Sequence, residues 1–378
     1  MRILHYMAGL NVGGVQSLVY DLIHYAVKQG HKVDIASIYN GDQVDDSDYK
    51  FGSLGCGIIK SGSANRYSYK HARDLAKLMR NYDVVHIHLF PQQFHASMAY
   101  RLLNHRDRPV LVTTEHNTWN NRRDKGVLKY FDRWMYGVYD KIVCISPKTE
   151  ENLNEWLDSK RLKSRMVTVT NGIDLERFAG ATDRLKDFVK DYNPENKYVV
   201  MVSRMTAPKD PVTVVKALAL CQENVHAVFV GSGPLLKDIE ATASDEGLSE
   251  RVHILGAQRD VSGIIKGCDI GVLSTHWDGF GLSAAEGMAA GVPMIGCDVD
   301  GLRDVIGNKD LCFPVGDYEK LAGIITSLLS SNEYYESMKK RGEEHVQQFS
   351  STVMGEKYLK IYSDLILEKE RKSGRKQN

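Results

Sequence analysis

Short apolar runs recur along the whole chain, and each is followed by a polar or glycine-containing turn and then by a longer segment with helical spacing. Arg2 to Met7 and Val84 to His88 are such runs in the first half, and Tyr198 to Ser203 and Asp269 to Leu273 are such runs in the second. Runs of this length predict buried strands, and their alternation with helices predicts parallel sheets. The pattern therefore predicts an α/β fold.

Length and composition limit the possibilities further. A chain of 378 residues fits two domains of ordinary size, and the pattern restarts after a polar segment from Ala179 to Lys197. Lysine and arginine total 49 against 48 acidic residues, so no overall field attracts nucleic acid. The six cysteines lack C-x-x-C spacing, which is typical of reduced thiols and predicts a cytoplasmic protein. No apolar run has the length of a membrane span, and the N-terminus lacks the pattern of a signal peptide.

Residues 274–296, STHWDGFGLSAAEGMAAGVPMIG, carry the strongest functional signal. The turn from Asp278 to Gly281 leads directly into an alanine-rich helix that is predicted from Leu282 to Ala290. Ligands of open α/β sheets bind beyond the carboxyl ends of the strands, where a helix N-terminus favours anionic groups. We therefore expect the backbone amides of Gly281, Leu282 and Ser283 to face a phosphate.

Three side chains extend this prediction. Glu286, in the second turn of the helix, is placed to accept hydrogen bonds from ribose hydroxyls, although a solvated glutamate is the alternative. Arg204 and Lys209 lie on a loop before another helix, where an arginine fork and a lysine suit a diphosphate. The alternative is that both are ordinary exposed cations of a loop.

Histidines and paired glycines are the remaining candidates. His116 follows a strand at its carboxyl end, which suits chemistry, but a capping role is the alternative. His86 and His88 share one strand face, so a metal pair is conceivable, yet no third ligand has a recognisable spacing. Gly13-Gly14 lacks the full dinucleotide fingerprint but permits close approach of a ligand at a helix N-terminus. A plain turn is the alternative for these glycines.

The frame from Asp278 to Glu286, with GFGL inside it and GMAAGVPMIG after it, resembles the signature of glycosyltransferase family 4, retaining enzymes of the GT-B fold. That family normally has glutamate at the position of Asp278, and aspartate reaches about 1.5 Å less far. The resemblance spans nearly the entire chain. It implies two Rossmann-like domains, each a doubly wound parallel sheet, that face a central cleft.

The resemblance also implies the domain boundaries. Asn171-Gly172-Ile173-Asp174, followed by Phe178, resembles the domain junction of the family. We expect an acceptor-binding domain over residues 1–175 and a nucleotide-sugar-binding domain over residues 176–354. A final helix, within residues 355–378, is expected to pack back on the first domain.

Site roles follow from the same resemblance. The catalytic residues would be His116 and Asp278, which position the donor sugar, and Arg204 and Lys209, which bind the diphosphate and neutralise the leaving group. The residues expected to bind the donor are Gly13, Gly14, Gly231, Gly233, Ala257, Gln258, Gly279, Phe280, Gly281, Leu282, Ser283 and Glu286. No metal and no cofactor are expected, since fixed cations do what a metal ion does elsewhere.

The implied activity is retaining transfer of a sugar from a nucleotide-diphospho-sugar, with a UDP-sugar favoured over a GDP-sugar. The acceptor would be a saccharide or a lipid-linked saccharide of surface polysaccharide biosynthesis. Peripheral membrane contact at the inner face is expected through Arg122, Arg123, Lys125 and a disordered basic tail over residues 369–378. The alternatives are a UDP-sugar 2-epimerase on the same fold and a non-catalytic member that only binds a nucleotide-sugar.

Overall fold

A computed structural model of the chain describes residues 1–10, 13–38, 51–60, 65, 67–117 and 122–374. The chain divides into two compact units, Met1–Gly172 with Ser351–Asn378, and Ile173–Ser350. Both units are built from parallel strands alternating with helices. The predicted functional boundaries at 175 and 354 lie within four residues of these divisions.

The first unit contains a seven-stranded parallel sheet, within the described residues, in the order β3-β2-β1-β4-β5-β6-β7. Its strands are β1 (Arg2–Met7), β2 (Lys32–Ser37), β3 (Gly57–Lys60), β4 (Val84–His88), β5 (Val110–Glu115), β6 (Lys141–Cys144) and β7 (Met166–Thr168). Its first helices are α1 (Gly14–Lys28), α2 (Tyr69–Met79), α3 (Gln92–Leu102), α4 (Leu128–Tyr136), α5 (Pro147–Leu157) and α6 (Lys160–Lys163). The order reverses beside β1, which is where doubly wound sheets bind ligands.

The second unit repeats the arrangement with six described strands in the order β10-β9-β8-β11-β12-β13. They are β8 (Lys197–Val202), β9 (Val225–Val230), β10 (Val252–Gly256), β11 (Ile270–Leu273), β12 (Met294–Cys297) and β13 (Cys312–Phe313). The helices are α7 (Leu175–Ala179), α8 (Pro211–Ala219), α9 (Leu236–Asp245), α10 (Ser262–Lys266), α11 (Leu282–Ala289), α12 (Leu302–Ile306), α13 (Tyr318–Ser330) and α14 (Asn332–His345). The prediction of two doubly wound parallel sheets is confirmed.

The last helix, α15 (Ser351–Gly374), belongs to the first unit. Met354, Tyr358 and Tyr362 recur every fourth residue, and all three are buried in the core that α1 also covers. The basic tail is not disordered as predicted, because the helix continues through Gly374 and Lys369 donates a hydrogen bond to the carbonyl of Arg108. Residues 375–378 lie outside the described residues. No helix in the described chain combines the length and apolarity needed to cross a membrane.

The close contact of α15 with α1 yields a stability prediction. A Cβ atom on Gly355 would lie 2.3 Å from Cδ1 of Tyr25, in α1. Overpacking of this kind typically costs about 1–3 kcal/mol, which outweighs the roughly 0.5–1 kcal/mol that alanine gains over glycine in a helix. We expect Gly355→Ala to lower the midpoint of thermal unfolding.

Gly323→Ala is the matched control, because Gly323 lies in α13 and a Cβ there meets nothing within 4 Å. This variant should be as stable as the wild type or slightly more stable. A Gly355→Ala protein at least as stable as Gly323→Ala would show that α15 packs less tightly than the structure indicates.

Candidate active site

The loops after neighbouring strands of the second unit converge at the carboxyl edge of the sheet. The amide of Gly231 donates to the carbonyl of Gly256, at 2.8 Å, and the amide of Met205 donates to that of Ser232, at 3.0 Å. A Cβ on Gly231 would lie 1.8 Å from the carbonyl oxygen of Ser203, and one on Gly233 would lie 2.1 Å from that of Met205. Only glycine therefore fits at these two predicted donor-binding positions.

Lys209 is brought to the predicted phosphate site. It follows β8, and its ammonium forms an ion pair with Oδ2 of Asp278, in the loop after β11. The other oxygen, Oδ1, accepts hydrogen bonds from the amides of Phe280, at 3.1 Å, and Gly281, at 2.9 Å. The two side chains are only 20% and 17% exposed, respectively. Asp278 thus holds both the cation and the turn that begins α11, a role that its expected contact with the sugar does not include.

Two residues that the sequence prediction missed fix the position of the Lys209 loop. Ser274 and Thr275 are fully buried at the end of β11. Their hydroxyls donate to the carbonyls of Asp210, at 2.8 Å, and Pro208, at 2.9 Å. These bonds join the loops that follow β8 and β11, two neighbouring strands. The available signal was a pair of hydroxyl residues directly after a buried strand.

The start of α11 differs in part from the prediction. Gly281 has φ +87°, and its amide donates to Asp278, so this amide does not face a phosphate in the structure. The amides of Leu282 and Ser283 have no protein acceptor within the residues that the structure describes. These two amides remain available at the N-terminus of α11. The side chain of Phe280 is 3% exposed and packs edge to face on Phe349, so it belongs to the core and not to a donor pocket.

Glu286 and Gly301 complete this edge of the second unit. Glu286 lies in the second turn of α11 and is partly exposed, so its carboxylate is not part of the core. Gly301, which the sequence prediction missed, has φ +85°, and a Cβ there would lie 2.6 Å from the carbonyl oxygen of Asp278. Any larger residue at 301 would displace the turn, because its backbone approaches too closely.

The other predicted site residues of the second unit are not seen to contact the turn before α11 within the described chain. The side chain of Arg204 is exposed and makes no ion pair within the described chain, so Lys209 alone of the two cations contacts the turn. Gln258 uses its side-chain amide locally, donating to the carbonyl of Leu255 at 2.6 Å. Ala257 is exposed beside it.

In the first unit, the paired glycines open α1. Gly13 is the N-cap residue and Gly14 the first helical residue. A Cβ on Gly13 would lie 2.6 Å from Oε1 of Gln16, whose amide nitrogen donates to the carbonyl of Gly9 at 3.2 Å. Because Oε1 is the far end of a flexible side chain, the contact alone does not require a glycine at 13. Residues 11 and 12 of the same loop lie outside the described chain.

His116 follows β5 and is 9% exposed. Its Nε2 lies 3.2 Å from Nδ1 of His88, in β4. Burial lowers the pKa of His116 to about 3. The ring is therefore neutral near pH 7 and can act as a hydrogen-bonding group but not as a cation.

A third histidine, which the sequence prediction missed, lies beside the predicted pair. Candidate ligand atoms of His5, His86 and His88 lie within 4.8 Å of one another, and all three rings are buried. Both nitrogens of His86 already have partners, the hydroxyls of Tyr362 at 2.6 Å and Thr114 at 2.8 Å. The set contains no carboxylate to offset the charge of a buried cation. The donor chemistry thus favours a hydrogen-bonded network, and the absence of a metal stays a prediction.

Three cations were expected to face a membrane, and two of them point into the protein instead. Nε of Arg122 lies 3.2 Å from Oδ1 of Asp132, which is 1% exposed, and its guanidinium stacks on the ring of Phe90. Arg123 is buried. Lys125 is exposed. The basic residues were assigned to the surface from their charge alone, whereas Arg122 is drawn inward by a buried carboxylate.

The family model for Glycosyltransferase Family 4 matches residues 12–177, and the model for Glycosyl transferases group 1 matches residues 183–345. The chain belongs to glycosyltransferase family 4. The family 4 enzyme is 29% identical, over 299 residues, to the N-acetyl-alpha-D-glucosaminyl L-malate synthase of Bacillus anthracis, with 76% of each chain covered. It is 24% identical, over 311 residues, to the UDP-Gal:alpha-D-GlcNAc-diphosphoundecaprenol alpha-1,3-galactosyltransferase of Escherichia coli, covering 78% of this chain and 79% of that protein.

A solved structure shows the same fold. The Anabaena protein HepE, in complex with UDP and glucose, matches the family 4 enzyme with a TM-score of 0.83 at 15% identity, covering 96% of this chain and 99% of that chain. At this identity the likeness concerns the fold, which is GT-B. The predicted fold class and the predicted family are both confirmed.

The buried histidines of the first unit yield a pH prediction for the family 4 enzyme. Burial lowers the pKa of His5 to about 3, as it does that of His116, whereas unfolded rings titrate near 6.5. Between about pH 3 and 6.5 the unfolded state binds more protons than the native state. The free energy of unfolding is therefore complete above pH 6.5 and falls as the pH is lowered through this window, by up to about 1.4 kcal/mol per ring and pH unit.

Urea unfolding of the first unit at a series of pH values measures this slope. The slope should be shallower in His5→Gln, which removes one such ring. Equal slopes in the wild type and His5→Gln would contradict the burial of a neutral ring at residue 5.

Proposed function

We propose that the family 4 enzyme transfers a glycosyl group, with retention of configuration, from a nucleotide-diphospho-sugar to a saccharide or lipid-linked saccharide acceptor. A UDP-sugar is the favoured donor and a GDP-sugar the next. The observation that carries the proposal is the ammonium of Lys209, held by Asp278 at the start of α11. The names of the Escherichia coli relative, with its UDP-Gal donor and diphosphoundecaprenol acceptor, and of HepE with UDP and glucose support it.

A diphosphate fits this place because three positive features meet there. They are the dipole of α11, the amides of Leu282 and Ser283, and the ammonium of Lys209. An ammonium has three N–H donors, so Lys209 can keep its bond to Asp278 and still donate to a phosphate oxygen. Breaking the bond from the anomeric carbon leaves negative charge on the β-phosphate, which these fixed groups stabilise.

The other roles follow from position. Glu286, one turn into the same helix, would accept hydrogen bonds from the ribose hydroxyls. Arg204, exposed on the loop after β8, would supply a second cation for the diphosphate. Both oxygens of Asp278 are engaged, so its carboxylate would act by positioning and not as a nucleophile. In this proposal no metal and no other cofactor is required.

An exposed surface on and beside α4 would contact the membrane that carries a lipid-linked acceptor. Val127, Tyr130 and Trp134 are exposed on and beside α4, and the exposed Lys125 is near them in sequence. Aromatic residues next to cations suit the surface of an anionic bilayer, where a lipid-linked acceptor resides. This surface replaces Arg122 and Arg123 as the proposed membrane contact. The six unpaired cysteines support a cytoplasmic location, and surface polysaccharide biosynthesis is the proposed pathway.

The donor nucleotide is tested by thermal unfolding with UDP, GDP and ADP. A ligand that binds only the folded state, at about 100 times its Kd, stabilises it by about 2.7 kcal/mol. We expect UDP to raise the unfolding midpoint most, and expect Lys209→Ala to abolish that rise. Lys340→Ala, at an exposed lysine of α14, is the control and should keep it. A larger rise with GDP would change the donor, and no rise with any nucleotide would refute the site.

Transfer itself is tested with Lys209→Ala and Glu286→Ala, using UDP-sugars and saccharide acceptors. Removal of one fixed group that stabilises charge in a transition state costs about 10²–10³-fold in kcat, so we expect at least that loss for Lys209→Ala. Loss of the ribose contact should abolish transfer by Glu286→Ala. Circular dichroism checks that both variants fold, and full activity in either one would overturn the assignment.

Two alternatives are outcomes of the same assays. Incubation with donor alone distinguishes an epimerase, since epimerised sugar would then form without any acceptor. A non-catalytic binder would bind UDP but show no transfer until Asp278→Glu restored the family residue. For the proposed transferase, the donor remains largely unchanged until the acceptor is added.

A further inference from the structure

Three imidazoles form one hydrogen-bonded chain that ends at His116. Nδ1 of His5, in β1, lies 3.0 Å from Nε2 of His88, in β4. Nδ1 of His88 lies 3.2 Å from Nε2 of His116, which follows β5. The chain crosses the centre of the sheet, because β4 pairs with both β1 and β5. The family resemblance implies a role in positioning the donor sugar for His116 only and leaves the other two rings unexplained.

The hydrogen bonds that join these three rings can point in either of two directions. Each ring is neutral and carries one proton, since burial lowers the pKa of all three. If His116 donates from Nε2, then His88 donates to Nδ1 of His5, and the proton of His5 must lie on its Nε2. That atom is buried and has no partner within the described chain. Buried N–H groups without an acceptor are rare in folded proteins, and acceptors without a donor are less so.

The opposite direction avoids the orphaned proton. His5 then donates from Nδ1 to His88, and His88 donates from Nδ1 to Nε2 of His116. Only a lone pair of His5 is left without a partner. His116 accepts at Nε2, so its own proton lies on Nδ1, the ring nitrogen that His88 does not engage.

We infer that His88, and His5 behind it, are positioning residues that fix the tautomer and orientation of His116, so that its Nδ1–H donates to an oxygen of the donor sugar. The sugar contact rests on the proposed function, in which a nucleotide-sugar is the donor, and on the role that the family resemblance implies for His116; the tautomer rests on neither. His86 takes no part through its ring nitrogens, because both are bonded to the hydroxyls of Tyr362 and Thr114.

The tautomer is measured by NMR of the whole protein labelled with ¹⁵N-histidine. Ring nitrogens with and without a proton differ widely in chemical shift, and the signals of His116 are assigned by their loss in His116→Gln. We expect a protonated Nδ1 and an unprotonated Nε2 between about pH 6 and 8, since the pKa of His116 lies near 3. A protonated Nε2 on His116 would overturn the inference.

Variants of His88 test the positioning role. Asparagine can place an amide N–H near the position of Nδ1, glutamine places one near Nε2, and leucine places none. We expect His88→Leu and His88→Gln to lower kcat for transfer by about tenfold or more, the equivalent of one hydrogen bond, and His88→Asn to restore part of it. The rise in unfolding midpoint caused by UDP, which lacks the transferred sugar that His116 would contact, should be the same in all three variants.

Tyr358→Phe controls for lost stability. It removes one buried hydroxyl, bonded to Thr114 at 3.0 Å, from the same core without touching the chain. It should destabilise the protein while leaving kcat and the His116 signals unchanged. Equal kcat in His88→Leu and the wild type, or equal loss in His88→Asn and His88→Leu, would refute the positioning role. Absence of any UDP effect in the wild type would instead refute the proposed function and leave the tautomer measurement valid.

Discussion

The ion pair between Lys209 and Asp278 is the constraint around which the second unit is arranged. A lysine placed near a helix N-terminus and partly withdrawn from water requires a counter-charge before any ligand arrives. Asp278 supplies that charge and also accepts hydrogen bonds from the amides of Phe280 and Gly281. One carboxylate therefore positions both the cation and the start of the helix. Movement of Lys209 would therefore disturb the turn. The proposed anion-binding element is formed by contacts within the protein, which would spare a ligand the cost of ordering it.

The two units differ in the charge of the groups that they present at their candidate sites. In the second unit, charged groups and free amides gather where a phosphate would lie. In the first unit, the residue expected to face the sugar is a neutral imidazole in a chain of neutral imidazoles. A sugar is an uncharged polyol that is recognised by directional hydrogen bonds, which a neutral imidazole can make without the cost of burying a charge. The second unit thus offers groups that suit an anion, and the first unit offers groups that suit an uncharged polyol.

Strands with strong apolar runs were predictable from the sequence, and contacts between distant loops were not. The bounds of β1 and β4 follow directly from their apolar runs, whereas β3 is a half-exposed edge strand and β13 has only two residues. The pairing of Lys209 with Asp278 joins positions 69 residues apart, although their loops were both placed at strand ends. His5 was missed for a similar reason, because the period of two relates His86 to His88 but only the strand order brings β1 beside them.

Errors arose where the polarity of a residue was read without its neighbours. Phe280 sits in a polar turn but packs into the core, and Arg123 belongs to a basic run but is buried. Both depend on what the rest of the fold offers, a phenylalanine partner at 349 in one case and an enclosed environment in the other.

The departure from the family pattern at residue 278 has a geometric consequence. An aspartate oxygen can accept from amides two and three residues later in the chain, which closes a tight turn, and the structure shows both bonds at Asp278. A glutamate carries its carboxylate about 1.5 Å farther from the backbone, so it would project beyond this turn and would not close it in the same way. The shorter side chain therefore extends less far toward a sugar, but it holds the turn and Lys209 in position. Asp278 is better understood as part of the proposed diphosphate-binding element than as a shortened sugar contact.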